Sequence, residues 1–136
     1  MVMIPNAPRM GDMPKGQPIP EGTYHLRCDK AEYKISQKNR IPMAVCELTV
    51  FGPADAEEYH GRKIFENFML SGEGMFRTRQ FLEAAGEGAD FILSDTDQLK
   101  GMEVAAVVQI EEGKKDPETG VEYDPRNRVK AYKAIA

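Results

Sequence analysis

The chain has few of the side chains that bind soft metals or attack substrates: two cysteines and two histidines in 136 residues. A zinc site would have to combine His25, Cys28, Cys46 and His60. His25 and Cys28 are three apart in an alternating run, so they face opposite sides of a strand unless a bulge intervenes. Both cysteines lie in apolar stretches and read as buried free thiols, which suits a reducing compartment. Ser71-Gly72-Glu73-Gly74 lacks the lysine of a phosphate-binding loop, and neither a nucleophile elbow nor a helix-borne zinc motif occurs. Asp116, Glu118, Glu122 and Asp124 share an acidic loop without EF-hand spacing. The chain is therefore expected not to be an enzyme and to need neither cofactor nor metal. No apolar run is long enough to cross a bilayer, and Met1 to Pro20 has no signal-peptide core, so a cytoplasmic setting is expected.

An excess of positive charge is also missing. Lysine and arginine number 18 against 22 acids, a formal net charge of -4. That argues against a protein that coats duplex DNA. Binding at a groove depends on the local field, however, and the charges are unevenly spread. Tyr33 to Cys46 holds Lys34, Lys38 and Arg40 with no acid. Pro125 to Ala136 holds Arg126, Arg128, Lys130 and Lys133, again with no acid. Glu83 to Leu99 is the opposite, with Glu83, Glu87, Asp90, Asp95 and Asp97 and no base. Such polarity predicts a basic binding face turned away from an acidic one.

Residues 1–21 contain five of the nine prolines and read as an extended Pro/Met-rich arm; residues 22–136 read as one domain. From Thr23 the pattern alternates, with Tyr24, Leu26 and Cys28 inward. It slips phase near Lys30, as a bulged strand does, and Ala31, Tyr33 and Ile35 then carry the apolar face. Ser36 to Arg40 is a hairpin loop. Ala44, Cys46, Leu48 and Val50 form the inner face of a second strand, and Gly61 to Leu70 a third. A helix follows, with Ser71 as its cap, Phe81, Leu82 and Ala85 as its buried stripe, Phe76 as an extension of that stripe and Gly86 as its stop. Ser94 to Asp97 reads as the capped start of a short turn. Met102 to Ile110 is a fourth strand. Arg128 to Ile135 is a fifth, with Val129, Ala131 and Ile135 inward and Arg128, Lys130 and Tyr132 outward.

The order β-β-β-α-β-β predicts a mainly β chain, a five-stranded OB-type barrel with one helix between strands three and four. In such barrels the outer face of strands two and three and the hairpin loops form the binding site. Single-strand binders place bases on aromatic faces and track the phosphates with basic side chains. The candidates are Phe51 on strand two and Arg62, Lys63 and Phe65 on strand three. Lys34, Lys38 and Arg40 flank the first hairpin, and Arg126, Arg128, Lys130 and Tyr132 lie on the last strand. Strand three is apolar on both faces, so Phe65 reads equally as core, and Tyr33 sits in the inward register.

Several stretches together resemble a known group: Ile19-Pro20-Glu21-Gly22-Thr23-Tyr24, the loop Ser36 to Arg40, Pro42-Met43, Gly61-Arg62-Lys63-Ile64-Phe65-Glu66-Asn67-Phe68, Phe76 to Ala84 and Leu99-Lys100-Gly101-Met102-Glu103-Val104. The chain is similar to small bacteriophage proteins of formerly unknown function that are themselves similar to phage single-stranded-DNA-binding proteins with an OB fold. The resemblance implies a largely sequence-independent binder of single-stranded DNA that acts in phage DNA replication or recombination in the host cytoplasm. Its partners would be recombinase, helicase or polymerase components, with monomer and dimer both open. The alternative it leaves is an OB module that docks a protein of a replication or recombination complex without touching DNA. Many single-strand binders end in an acidic tail, whereas Tyr132 to Ala136 is basic and apolar. Recruitment through such a tail is not expected.

Overall fold

The computed structural model describes residues 1–9, 17–113, 117–118 and 125–135. Asp116, Glu122 and Asp124 of the acidic loop and positions 10–16 of the arm lie outside them. Five antiparallel strands form one sheet: β1 (Gly22–Ile35), β2 (Pro42–Gly52), β3 (Lys63–Met69), β4 (Glu103–Glu111) and β5 (Arg126–Lys133). A helix, α1 (Met75–Ala84), lies between β3 and β4. The strand order across the sheet is β3-β2-β1-β4-β5. β1 holds the centre because it is long and bulged. Gly22 to Arg27 pairs with β4, and the pairing with β2 continues to Ile35. The register with β2 slips between Cys28 and Lys30, where the phase change in the sequence predicts a bulge.

The inward residues of all five strands meet α1 in one core. Phe68, Phe81 and Tyr132 are its aromatic centre, with ring centroids 4.7, 5.3 and 5.7 Å apart. Aromatic pairs in these arrangements contribute about 0.5–1.5 kcal/mol beyond the area they bury. Cys28 and Cys46 are free and fully buried. The hydrogen bond to Cys28, reinforced by burial, pushes the Cys46 thiol far above its ordinary range.

Tyr132 corrects the sequence reading, which turns it outward as a stacking platform. It is 4% exposed. Val107 pairs with Ala131 and Val108 with Val129, so Lys130 is an extra residue in β5. This bulge restarts the alternation and swings Tyr132 into the core. Ala131 is then only half-buried and Ile135 exposed, contrary to their predicted inward faces. Tyr33 and Ile35 are also exposed, because they lie where β1 has run past β4 and only β2 accompanies it.

Among the described residues no ladder joins β3 to β5, so these strands are the sheet's two edges. Each end of the gap between them is nevertheless bridged. At one end α1 supplies polar side chains in place of a strand. Arg77 donates to the Val129 carbonyl at 2.7 Å and to Glu66 Oε1 at 3.2 Å. Tyr132 donates its hydroxyl to the same Glu66 oxygen at 3.0 Å. Gln80 accepts from the Tyr132 amide at 3.2 Å, so backbone groups of an edge strand find partners on the helix. At the other end the segment before β1 crosses the gap. The Asn127 side-chain amide makes two bonds to the Ile19 backbone, each 2.9 Å, and Arg62 donates to the Gln17 carbonyl. Ile19, placed in the arm by the sequence, is 1% exposed and belongs to the core.

Smaller differences are local. β3 begins at Lys63 rather than Gly61, which takes a positive φ of 90° in the preceding turn. Gly74, not Ser71, holds the N-cap position of α1, and Phe76 points to solvent. Gly86 does end the helix, at φ 97°. The turn Thr96–Leu99 is capped by Asp95 with Gln98 closing the capping box.

Candidate nucleic-acid interface

Between the two bridged ends the edges of β3 and β5 leave a cleft of about 400 Å³. Its walls carry Lys63 and Phe65 from β3 and Arg126 and Arg128 from β5. Four residues predicted from distant parts of the sequence thus face one groove. Phe65 resolves as surface, not core: its side chain is 68% exposed. Ile64 and Phe68 are the inward residues of β3, which leaves Phe65 free for an external aromatic or apolar partner.

The charges in the cleft are not equivalent. Glu66 is held by Arg77 and Tyr132, and burial followed by the Glu66 charge raises the Tyr132 phenol far above its ordinary range. Glu111 meets Arg126 at 3.4 Å. Among the described residues Arg128 has no ion-pair partner, and neither does Lys130 on the bulge beyond it. The cleft's acids are therefore engaged, while part of its positive charge is available to an anion. Exposed pairs such as Arg126–Glu111 contribute under about 1 kcal/mol and are exchanged for a phosphate at little cost.

The cleft opens onto the outer face of β1, β2 and β3. Cross-strand register aligns Lys30, Glu47 and Phe65 in one row and Arg27, Thr49 and Lys63 in the next. Glu47 sits between two lysines, bonded to Lys63 and 3.8 Å from Lys30. The Lys63 hydrogen bond holds the Glu47 carboxyl below the usual carboxylate range and raises Lys63 in turn. Phe51 is half-buried at the same end, with the Arg27 guanidinium 5.8 Å from its ring centre and His25 packed against it. Arg27 also pairs with Asp29 at 2.8 Å. Arg27 and Lys30 are members of this surface that the sequence reading left out. The alternation of β1 places Arg27 outward, but its position beside Phe51 follows from register between strands.

The remaining predicted residues do not join this group. Arg62 lies at the cleft's end, engaged by Gln17. Lys34 pairs with Glu32 at 3.7 Å, in the row that ends at Met69. Lys38 and Arg40 lie in the hairpin turn, where the Arg40 amide bonds the Ser36 carbonyl at 2.7 Å. Pro42, where β2 leaves that turn, is seven residues from Thr49 in the Lys63 row, about 23 Å at strand rise. Tyr132 is in the core. Cys28 and Cys46 adjoin each other in the core, whereas His25 packs against Phe51. His60 Nε2 lies 3.0 Å from the Pro53 carbonyl, and no group of three metal-binding side chains occurs among the described residues.

The fold and surface define a class: a mainly β protein whose single antiparallel sheet has its two edges bridged by a helix and a strap, with a basic cleft between them. The chain belongs to the DUF669 family of proteins of unknown function, whose model matches residues 12–136. No curated protein matches the chain. Among the described residues no helix is long and apolar enough to cross a membrane.

Proposed function

We propose that this chain is a non-enzymatic, largely sequence-independent binder of single-stranded DNA, built on an OB-type barrel whose seam is the β3–β5 cleft. The observation that carries the reading is the joint placement of Lys63, Phe65, Arg126 and Arg128 on that cleft. A flexible strand needs an aromatic face for a base and cations for its phosphates; Phe65 supplies the first and the three bases the second. The barrel reading is supported by the bridges at both ends of the seam, which draw β3 and β5 together without a ladder. The similarity to phage proteins supports a setting in phage DNA replication or recombination in the host cytoplasm. A recombinase, helicase or polymerase component would be the partner there.

Phe65→Ala tests the aromatic contact. Stacking contributes about 1–3 kcal/mol per base, so affinity for a labelled oligo-dT should fall roughly five- to hundredfold. Thermal stability should hold, because the ring is mostly exposed. An unchanged affinity would remove Phe65 from the interface. Glu47→Gln tests the electrostatics in the opposite direction. Removing the carboxylate that engages Lys63 and Lys30 should tighten oligo-dT binding about two- to fivefold. Weaker binding in this variant would show that Glu47 orients Lys63 rather than competing with DNA for it. A docking module that does not touch DNA would respond to neither substitution.

A further inference from the structure

A second groove, of about 840 Å³, runs along the far side of α1. Met69, Met75, Phe76, Leu82, Phe91 and Leu93 give it an apolar lining, and it shares no lining residue with the β3–β5 cleft. Phe76 is 72% exposed, an unusual state for a phenylalanine on a helix that packs a core. The flank is acidic. Glu83 and Glu87 line the groove, Glu73 and Asp90 are exposed beside it, and its one base, Arg79, is paired with Glu83 at 2.7 Å.

The same chain carries an unmatched apolar segment. Met1, Val2, Met3 and Ile4 are each at least 70% exposed and consecutive. Met1 to Arg9 contains a base, Arg9, and no acid, so its charge complements the groove. Pro5 and Pro8 fix φ at two positions of this segment, which turns at Pro5–Asn6, and so lower the entropy lost on docking. Methionines on both sides, Met1 and Met3 against Met69 and Met75, adapt readily to one another. Within one chain the two surfaces do not meet: Met1 to Ile4 stand exposed and none lines the groove.

We infer that the groove beside α1 receives the Met1–Arg9 segment of a second copy, so that the chain self-associates arm to groove. The arm contact does not itself occupy the β3–β5 cleft, because the two grooves have no residue in common.

Sedimentation velocity over a concentration series, without nucleic acid, tests this independently of the DNA reading. The full chain should associate as concentration rises. A Val2→Asp/Ile4→Asp variant and a Phe76→Asp variant should each weaken association about tenfold or more, since each sets an acid against an apolar or acidic surface. Mixing the two should restore 1:1 pairs through the one intact arm and the one intact groove. The arm variant alters exposed side chains only, so it remains informative even if Phe76→Asp disturbs α1. A monomer at every concentration would overturn the inference, as would association that survives both variants. So would a monomer whose amide-exchange protection at Phe76 disappears in the arm variant, because the chain's own arm would then fill the groove.

Discussion

The double variant Lys63→Glu/Arg128→Glu loses binding to single-stranded DNA while keeping the fold. Both side chains lie on the cleft wall outside the core; the one ion pair broken, Lys63–Glu47, is about half exposed at the lysine and mostly covered at the carboxylate, which keeps Lys30 as a partner. Losing two phosphate contacts should make the slope of log affinity against log salt shallower by about 1.4, at roughly 0.7 per phosphate of a single strand. Reversing the charges adds repulsion, so the affinity at low salt should drop on the order of a hundredfold or more. Labelled oligo-dT anisotropy reads the affinity, and circular dichroism melts read the fold. Wild-type affinity in this variant would place the DNA elsewhere on the molecule.

Tyr132 should behave in the reverse way. Tyr132→Ala empties a site between Phe68 and Phe81 and should lower stability by about 3–5 kcal/mol, as large aromatic truncations in cores do. Tyr132→Phe removes only the hydroxyl bond to Glu66, which keeps Arg77, and should cost about 1–2 kcal/mol. Urea unfolding at neutral pH separates the two. The Phe variant should bind oligo-dT as the parent does. A loss of affinity in Tyr132→Phe without a loss of stability would restore Tyr132 to the binding surface.

The contrast between Tyr132 and Phe65 shows which parts of the molecule a single sequence carries. Strand positions, the helix between β3 and β4 and the bulge of β1 are local, written in alternation and its phase slip near Lys30. The bulge at Lys130 is just as local, but its strand is short. Three apolar side chains in eight residues fit either phase, and the wrong one turned Tyr132 outward. Phe65 was ambiguous because β3 is apolar on both faces. Neighbours decide it: the inner face is filled by Ile64 and Phe68 beneath α1. Ile19 lies in a proline-rich stretch that reads as arm, and the Asn127 side chain, 108 residues away, helps fix it in the core. The cleft itself depends on how closely β3 approaches β5. That distance is set by Arg77, Gln80 and Asn127, whose types in a sequence signal nothing more than polar surface.

The salt dependence of oligo-dT binding by the unmodified chain bears most directly on the proposal that the β3–β5 cleft holds single-stranded DNA. Lys63, Arg126, Arg128 and Lys130 provide cations for about four phosphates, which predicts a slope near −3 at about 0.7 per phosphate. Between about 50 and 200 mM salt such a slope lowers affinity roughly sixtyfold. A titration with that slope supports DNA held by its backbone at the cleft. No binding at the lower salt, or binding indifferent to salt, would rule that out.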